Sequence, residues 1–404
     1  MQIPMDHINF KNLDIHLKHL SNEQIYQVIS KYYNNEKIQN ILEEYDINVP
    51  PGRLVRIFPT IFLKENCIKC GSQLLGEFES KTGKQLFRVQ KACVSCSHEK
   101  ESYHCPCDYC SKERKELKIE EQKHEEKQNK LKRKVINIVF SSENISPRKE
   151  KDLSLEDRFY LSVILRASLS EDMKVINPLI DSEKKLAPTT QLALEILHSL
   201  SDKDLLTINL NSDLDAFSIS TDTNGKGEYS YFASKVMYNI NIEPEDGSYK
   251  SMIHRLSYPE SDLFTDEFCY EMWRKVSLNE VEEYLLFEMN KVGYSFNPGE
   301  KTYKVFEFLL DHFSTAQICN IIYRAISNST RRYQAREISK IHAQNSVITS
   351  CESQGHRAIA ENWKLTPYRR NFDLPETLIS EVLFNSIMKI TTLGYLETPT
   401  RNFR

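Results

Sequence analysis

The spacing of the cysteines constrains this chain more than any other feature. Seven of its 10 cysteines lie between positions 67 and 110, and four of them form two CxxC pairs, Cys67/Cys70 and Cys93/Cys96. In a reducing compartment such pairs favour metal binding over disulfide formation. Zn²⁺ accepts four thiolates in a tetrahedral arrangement that leaves no position for a catalytic water. The two pairs therefore predict one structural zinc site.

The segment between the two pairs predicts a β-hairpin, with Leu86, Phe87 and Val89 on its returning strand. The order of CxxC pair, hairpin and CxxC pair resembles that of a zinc ribbon over about residues 64 to 103. HNH-type nucleases also carry two flanking CxxC pairs, but they need histidines between them. Residues 71–92 contain no histidine, and this excludes that class of nuclease.

Three further cysteines follow in the stretch HCPCDYC, at Cys105, Cys107 and Cys110. Three thiolates and one imidazole predict a second zinc site, with either His98 or His104 as the fourth ligand. His98 would reach the site along a strand from His98 to Tyr103, whereas His104 directly precedes the first of the three cysteines. The alternative is that these cysteines extend the ribbon as free thiols.

Upstream of the cysteines, residues 21–59 predict three short helices. Ser21-Asn22-Glu23-Gln24 has the form of a capping box, and apolar residues recur at helical spacing after it. The pattern YYNNEKIQNILEEYDINV followed by GRLVRIF resembles the helix-turn-helix of resolvases and transposases. In that family the third helix enters the DNA major groove, which implies that Arg53 and Arg56 face DNA. The alternative is a small helical interaction module.

The middle of the chain combines a charged segment with an α+β pattern. Residues 112–134 carry 10 Lys or Arg and 6 Glu, which predicts a single solvated helix that acts as a spacer. Helices are predicted near Leu155 and after Pro188. A strand at residues 205–210 is predicted to pair with residues 236–242 across a long loop. Helices followed by a two-stranded ribbon resemble a winged helix, which implies a role in protein interaction or dimerisation.

The C-terminal part, from Leu278 onward, predicts helices nearly to the end of the chain. Between positions 321 and 371, nine Lys or Arg oppose three Glu, and aromatic residues are interleaved with them. Guanidinium groups bind phosphates and aromatic rings stack on bases. The candidate nucleic-acid contacts of this region are Arg324, Arg331, Arg332, Arg336, Arg369 and Arg370. The alternative is a solvated helical face.

These patterns predict a mainly α fold with small β elements, arranged in five parts. The parts are a tri-helical domain (1–63), a zinc ribbon with additional cysteines (64–111), a charged helical linker (112–150), a winged-helix-like α+β domain (151–275) and an α-helical domain (276–404). No run of about 18 apolar residues and no secretory signal is present in the sequence. We therefore expect a cytoplasmic protein that has no membrane partner.

The function that these features favour is nucleic-acid binding by a zinc protein. DNA is the expected ligand, with RNA as the alternative, in transcription regulation or in a process of a mobile element or phage. A homodimer or a protein partner is expected through the middle or C-terminal domain. The sequence shows no catalytic motif, and GxxxxGK[ST] is absent. Two other hypotheses are a nuclease-like enzyme with its activity in the C-terminal region and a zinc-dependent interaction scaffold.

Overall fold

The chain is mainly α-helical and carries small β-sheets, as the sequence predicts. The computed structural model describes residues 3–83, 85–90, 92–99, 104–221 and 227–402. The chain forms two compact units, Met1–Gln128 and Asn129–Arg404. Within the described ranges, no helix is both long enough and apolar enough to cross a membrane.

Three short helical segments form the core of the first unit. Helix α1 (Asn22–Tyr33) begins at the predicted capping box, in which Ser21 and Gln24 each accept a hydrogen bond from the other's backbone N–H. Helix α2 (Ile38–Glu44) follows, and the third segment is a 3₁₀-helix, Pro51–Ile57. The apolar stripes predicted from the sequence meet in this core, which includes Ile25, Val28, Ile41 and Leu54.

A three-stranded antiparallel sheet continues this core. Its strands are β1 (Ile61–Asn66), β2 (Gln73–Phe78) and β3 (Phe87–Val89), in the order β1-β2-β3. The predicted hairpin is confirmed as β2 and β3. Phe78 packs edge-on against Phe58 with ring centroids 5.7 Å apart, so the sheet and the helices share one core. The predicted strand from His98 to Tyr103 lies mostly outside the described residues, although Ala92 and Glu99 form a β-bridge.

The predicted charged helix is confirmed and is longer than expected. Helix α3 spans Asp108–Val139, which corresponds to about 48 Å at 1.5 Å per residue. Most of its side chains are exposed, in agreement with the alternating charges of the sequence. Its last turns are anchored in the second unit, where Ile136 is fully buried and the Arg133 guanidinium donates a 2.9 Å hydrogen bond to the Ser212 carbonyl.

The second unit begins with an α+β region. Strand β4 (Arg148–Lys149) precedes α4 (Leu155–Ser168), β5 (Val175–Ile176), α5 (Thr190–Asp202) and β6 (Leu206–Ile208). The hairpin β7 (Phe217–Thr221) and β8 (Gly227–Tyr231) follows, then β9 (Tyr238–Ile240), β10 (Ile242–Glu243) and α6 (Tyr249–Ser257). Strands β5, β9 and β6 form an antiparallel sheet in that order, and β4 pairs in parallel with β10.

The predicted pairing of residues 205–210 with residues 236–242 is confirmed by β6 and β9. The prediction of a long loop between them was wrong, because the described residues there form the β7–β8 hairpin. Its strands, FSIST and GEYSY, are short and rich in Ser and Tyr, and the middle of β8 is exposed. The first strand, FSIST, alternates apolar and polar residues as a half-buried strand does, so the sequence carried a strand signal that the prediction of a loop missed.

Four long helices build the rest of the second unit. They are α7 (Asp266–Lys291), α8 (Glu300–Leu310), α9 (Thr315–Gln334) and α10 (Lys340–Ala360). The prediction that this helical part begins at Leu278 was wrong, because α7 begins at Asp266. The early half of α7 packs with the α+β region and its later half packs with α8, α9 and α10. The boundary predicted between residues 275 and 276 therefore falls inside one continuous helix.

The C-terminal segment returns to the α+β region. Helix α11 (Leu378–Glu381) follows Pro375 as predicted, continues as a π-helical turn (Val382–Ile387) and leads to α12 (Leu393–Leu396). Leu378, Ile379 and Phe384 are buried in the same core as α4 and α5. The indole N–H of Trp273 donates a 2.8 Å hydrogen bond to the Gly394 carbonyl. Packing thus joins the last segment to residues more than 100 positions earlier.

Candidate metal centres and cationic surfaces

The four cysteines of the two CxxC pairs converge in one compact cluster. The Sγ atoms of Cys67 and Cys96 are 3.7 Å apart, and those of Cys70 and Cys93 are also 3.7 Å apart. All four sulfurs lie within 4.8 Å of one another. A tetrahedron with Zn–S bonds of about 2.3 Å has sulfur–sulfur edges of about 3.8 Å. The cluster therefore has both the ligands and the dimensions of a four-thiolate zinc site.

Two equivalent turns hold these sulfurs in place. In the first turn, the Cys67 N–H donates to the Ser72 carbonyl at 2.7 Å and the Gly71 N–H donates to the Cys67 carbonyl at 2.8 Å. In the second, the Cys93 N–H donates to the His98 carbonyl at 2.8 Å. The fifth residue of each turn has a positive φ, 73° at Gly71 and 56° at Ser97. The left-handed conformation of this residue turns the chain back past the sulfurs.

A second cluster forms from His98 and the cysteines of HCPCDYC. The Nδ1 atom of His98 lies 3.4 Å from the Sγ of Cys105, 3.7 Å from that of Cys107 and 3.3 Å from that of Cys110. A tetrahedral zinc with three sulfurs and one nitrogen has nitrogen–sulfur edges of about 3.5 Å. The three cysteines are buried. This cluster fits a second zinc ion, and together the two clusters are consistent with two zinc sites.

The fold selects one of the two histidines that the sequence left open. His98 is the residue after the left-handed Ser97, and its carbonyl closes the turn of the first cluster while its ring enters the second. His104 is exposed and does not belong to either cluster. The imidazole of the second site therefore comes from a residue that is also part of the first site's backbone turn.

The second cluster lies at the start of α3. Cys107 directly precedes the helix and its carbonyl accepts from the Ser111 N–H at 2.9 Å, while Cys110 occupies the first turn. The backbone N–H of Glu99 donates to the Cys105 sulfur at 3.2 Å, and Arg114 donates to the Cys105 carbonyl at 2.7 Å. Because the N-terminal end of a helix carries partial positive charge, this location favours thiolate over thiol.

Hydrogen bonds and burial give the thiols of each cluster different pKa values before any metal binds. The hydroxyl and backbone N–H of Ser72 lower the pKa of Cys70 to about 6. Burial and neighbouring thiols raise the pKa of Cys96 to about 12 and that of Cys110 to about 11. Burial also raises the pKa of Cys105, but hydrogen bonds from the backbone outweigh it and lower that pKa to about 6. Zinc binding has to displace the remaining thiol protons, so it releases protons as it proceeds.

Both clusters supply four protein ligands, which indicates a structural role. A tetrahedral zinc held by four side chains has no open position for water or substrate. Two such ions would supply folding free energy, because the first would tie the turns at positions 67–72 and 93–98 together and the second would tie the 93–98 turn to the start of α3. In the part of the chain that the structure describes, these two thiol-rich clusters are the groups that could hold a metal ion.

The two arginines of the N-terminal candidate surface lie side by side. Arg53 and Arg56 belong to the 3₁₀-helix Pro51–Ile57, in which residues three apart lie on the same side. Both side chains are exposed, whereas Leu54 and Ile57 face the core. Neither arginine forms an ion pair with any described residue. The structure thus places both charges where a ligand can reach them.

The C-terminal candidates separate into an exposed set and one half-buried residue. Five remain exposed, namely Arg324, Arg331, Arg332, Arg336 and Arg369. Arg370 instead pairs with the buried Glu280 at 2.9 Å and stacks on the Tyr395 ring at 4.3 Å from its centroid. Ser380 donates a 2.7 Å hydrogen bond to the same carboxylate. Arg370 therefore joins the segment that precedes α11 to α7 and α12, and its charge is paired with the Glu280 carboxylate.

Sequence reasoning missed the partner of Arg370 and the partners of Trp363. Glu280 is 90 residues away from Arg370, and no local pattern marks such a pair. The guanidinium groups of Arg324 and Arg357 lie 5.2 and 5.4 Å from the Trp363 ring. The sequence shows aromatic and cationic residues interleaved in this region, but only the tertiary packing shows that Arg324 and Arg357 contact the Trp363 ring.

Comparison with known proteins adds no further constraint. No protein-family model, no curated protein and no solved structure matches this chain.

Proposed function

We propose that this protein binds nucleic acid through the exposed face of α9, with two structural zinc ions stabilising its first unit. The observation that carries the proposal is the surface of α9. Its buried side includes Ile318, Ile322, Ala325 and Ile326. The opposite side presents the stripe Tyr323, Arg324, Ser327, Asn328, Arg331 and Arg332 to solvent. We refer to these six residues as the α9 stripe.

The α9 stripe is cationic and free of acidic residues. No Asp or Glu occurs between His312 and Arg336 in the sequence. Arg331 has no ion-pair partner among the described residues, and Arg332 pairs only with Glu337, at 3.3 Å and with both side chains about half exposed. Exposed pairs of this kind contribute little, about 0–1 kcal/mol. The positive charge of the stripe is therefore available to an anionic ligand.

The chemistry of the α9 stripe matches a polynucleotide backbone. Arginine binds phosphate through two parallel hydrogen bonds, and Ser and Asn side chains add neutral donors to phosphate oxygens. Arg324 and Arg331 are seven residues apart, about 10 Å along the helix axis, so they can reach different phosphates. Tyr323 is 46% exposed and offers a ring on which a base can stack. The net charge of −4 restricts such binding to a local surface.

The test is equilibrium binding of the zinc-loaded full chain to labelled nucleic acid. Fluorescence anisotropy with a duplex DNA, a single-stranded DNA and an RNA of equal length should show affinity that falls steeply between 50 and 200 mM salt. The double variant Arg324→Gln/Arg331→Gln should reduce the salt slope by about two and weaken binding at 0.1 M salt more than tenfold.

A matched control is Arg401→Gln, since Arg401 is exposed but lies outside the stripe and pairs with Glu267 at 2.7 Å. It should bind nucleic acid as the wild type does. The proposal is wrong if folded, zinc-loaded protein shows no affinity for any of the three probes at 50 mM salt. It is also wrong if the double variant keeps the wild-type salt slope.

A further inference from the structure

A small polar cleft in the first unit collects three cations that form no ion pair with any described residue. The cleft has a volume of about 380 Å³, and its lining includes Lys11, Lys18 and Arg56 together with Asn12, Asp14 and Thr60. Its volume lies within the range of ligand pockets, about 300–1,000 Å³. Sequence patterns gave Lys11 and Lys18 no role.

The walls of this cleft are fixed by hydrogen bonds. Asn9 is 8% exposed, its N–H donates to the Thr60 carbonyl at 2.8 Å, and its amide donates to the Thr60 hydroxyl at 3.2 Å. Ile8 and Ile61 form a β-bridge beside this contact. Leu17 is fully buried in the core of the first unit. The segment that carries both lysines is therefore held against the segment that carries Arg56.

The charges around the cleft do not neutralise one another. Asp14 is the acidic residue of the lining, and its carboxylate accepts a 3.0 Å hydrogen bond from the His16 N–H, which caps the 3₁₀-helix Ile15–Leu17. None of Lys11, Lys18 and Arg56 forms an ion pair within the described residues. The lining therefore holds three positive charges against one negative charge, and a bound anion would relieve the repulsion among the cations.

We propose that this cleft binds a phosphate group, with Lys11 and Lys18 as point charges and the Arg56 guanidinium as a directional donor. The two lysines give strong but loosely oriented attraction, whereas the planar guanidinium can align with two phosphate oxygens. The site lies in the first unit and is distinct from the α9 stripe. The phosphate can belong to a polynucleotide backbone or be free inorganic phosphate, because both present the same oxygens.

The experiment uses the zinc-loaded full chain and the double variant Lys11→Gln/Lys18→Gln. Lys37→Gln is the matched control, because Lys37 is an exposed lysine of the same unit outside the cleft. Anisotropy with a duplex DNA measures the polynucleotide source, and isothermal titration calorimetry with inorganic phosphate measures the free source. Zinc content and thermal melting establish that each variant is folded.

For a backbone phosphate, the double variant should lower the salt slope by up to about two and weaken duplex binding roughly tenfold or more at 0.1 M salt. For free phosphate, the variant should lose the calorimetric signal while duplex binding stays unchanged. Either result supports the site, provided that Lys37→Gln behaves as the wild type. Unchanged behaviour of the double variant in both measurements overturns the proposal.

The two double variants together distinguish failure of the cleft proposal from failure of the proposed function of the α9 stripe. If the Arg324→Gln/Arg331→Gln variant binds duplex as the wild type does but the lysine variant does not, the proposed function of α9 fails and the cleft remains. If only the arginine variant loses affinity and phosphate gives no heat, the cleft fails and α9 remains.

Discussion

Replacing His98 by alanine isolates the link between the two metal sites. The change removes the Nδ1 ligand of the second cluster, whose three sulfurs lie 3.3–3.7 Å from it. It retains the residue 98 carbonyl that accepts the Cys93 N–H at 2.8 Å. The second site should therefore lose affinity while the turn of the first site keeps its geometry.

The size of the effect follows from the number of ligands. Structural zinc sites bind with an apparent free energy of about 10–16 kcal/mol. If that energy is shared equally among four ligands, the loss of one costs about 3 kcal/mol, or roughly two orders of magnitude in affinity. In a competing chelator that leaves the wild type with two zinc ions, His98→Ala should keep only one.

Native mass spectrometry counts the ions, and Co²⁺ substitution identifies the site that is lost, because the absorption bands of Co²⁺ differ between four-sulfur and three-sulfur, one-nitrogen sites. The spectrum of His98→Ala should retain the four-sulfur component. His98→Cys, which restores a fourth ligand, should regain the second ion.

His104→Ala is the matched control, since His104 is exposed and outside the clusters. It should hold two zinc ions as firmly as the wild type. The reasoning is refuted if His98→Ala keeps both ions under the same competition, or if His104→Ala loses one and His98→Ala does not.

Three further changes test single contacts. Gly71→Ala places a side chain at φ 73°, which should cost about 1–2 kcal/mol and weaken zinc retention in chelator competition, whereas Gly52→Ala, with open space around it, should not. Arg370→Met leaves a buried carboxylate unpaired and should lower the free energy of unfolding in urea by about 3–5 kcal/mol; Arg369→Gln should change it by less than about 0.5 kcal/mol. The buried Glu150 accepts a 2.7 Å hydrogen bond from the Arg255 guanidinium, which lowers the pKa of that carboxyl. The stabilisation from this pair is therefore present above the unfolded pKa near 4.5 and is lost as pH falls through the lower folded pKa, so Glu150→Gln should flatten the drop in Tm between about pH 5 and 3.

Each of these changes has a contrary outcome. Equal zinc retention in the two glycine variants would mean that the left-handed turn does not limit the first site. Equal stability of the two arginine variants would mean that the Arg370 ion pair contributes no more than an exposed charge. An unchanged acid slope in Glu150→Gln would mean that other carboxylates dominate acid unfolding.

Short-range features of this fold could be predicted because neighbouring residues determine them. The capping box at Ser21 needs residues only three positions apart, and it forms as expected. The hairpin β7–β8 was missed although its first strand, FSIST, alternates apolar and polar residues; its second strand is mostly exposed, so it has no continuous apolar face. The start of α7 was misplaced because the helix serves two cores and has buried residues on several sides.

The cysteine spacing by itself determined that the four thiols of the two CxxC pairs would gather into one metal-binding cluster, since a CxxC turn places two sulfurs on one ion through local geometry. Only the tertiary structure decided that His98 and not His104 completes the second cluster, because the Ser97 turn aims one ring at the three sulfurs. Packing also decided which cations stay available. Arg370 pairs with Glu280, which is 90 positions away in the sequence, whereas Lys11, Lys18 and Arg56 line one cleft. These outcomes depend on contacts between distant segments, which a sequence pattern does not encode.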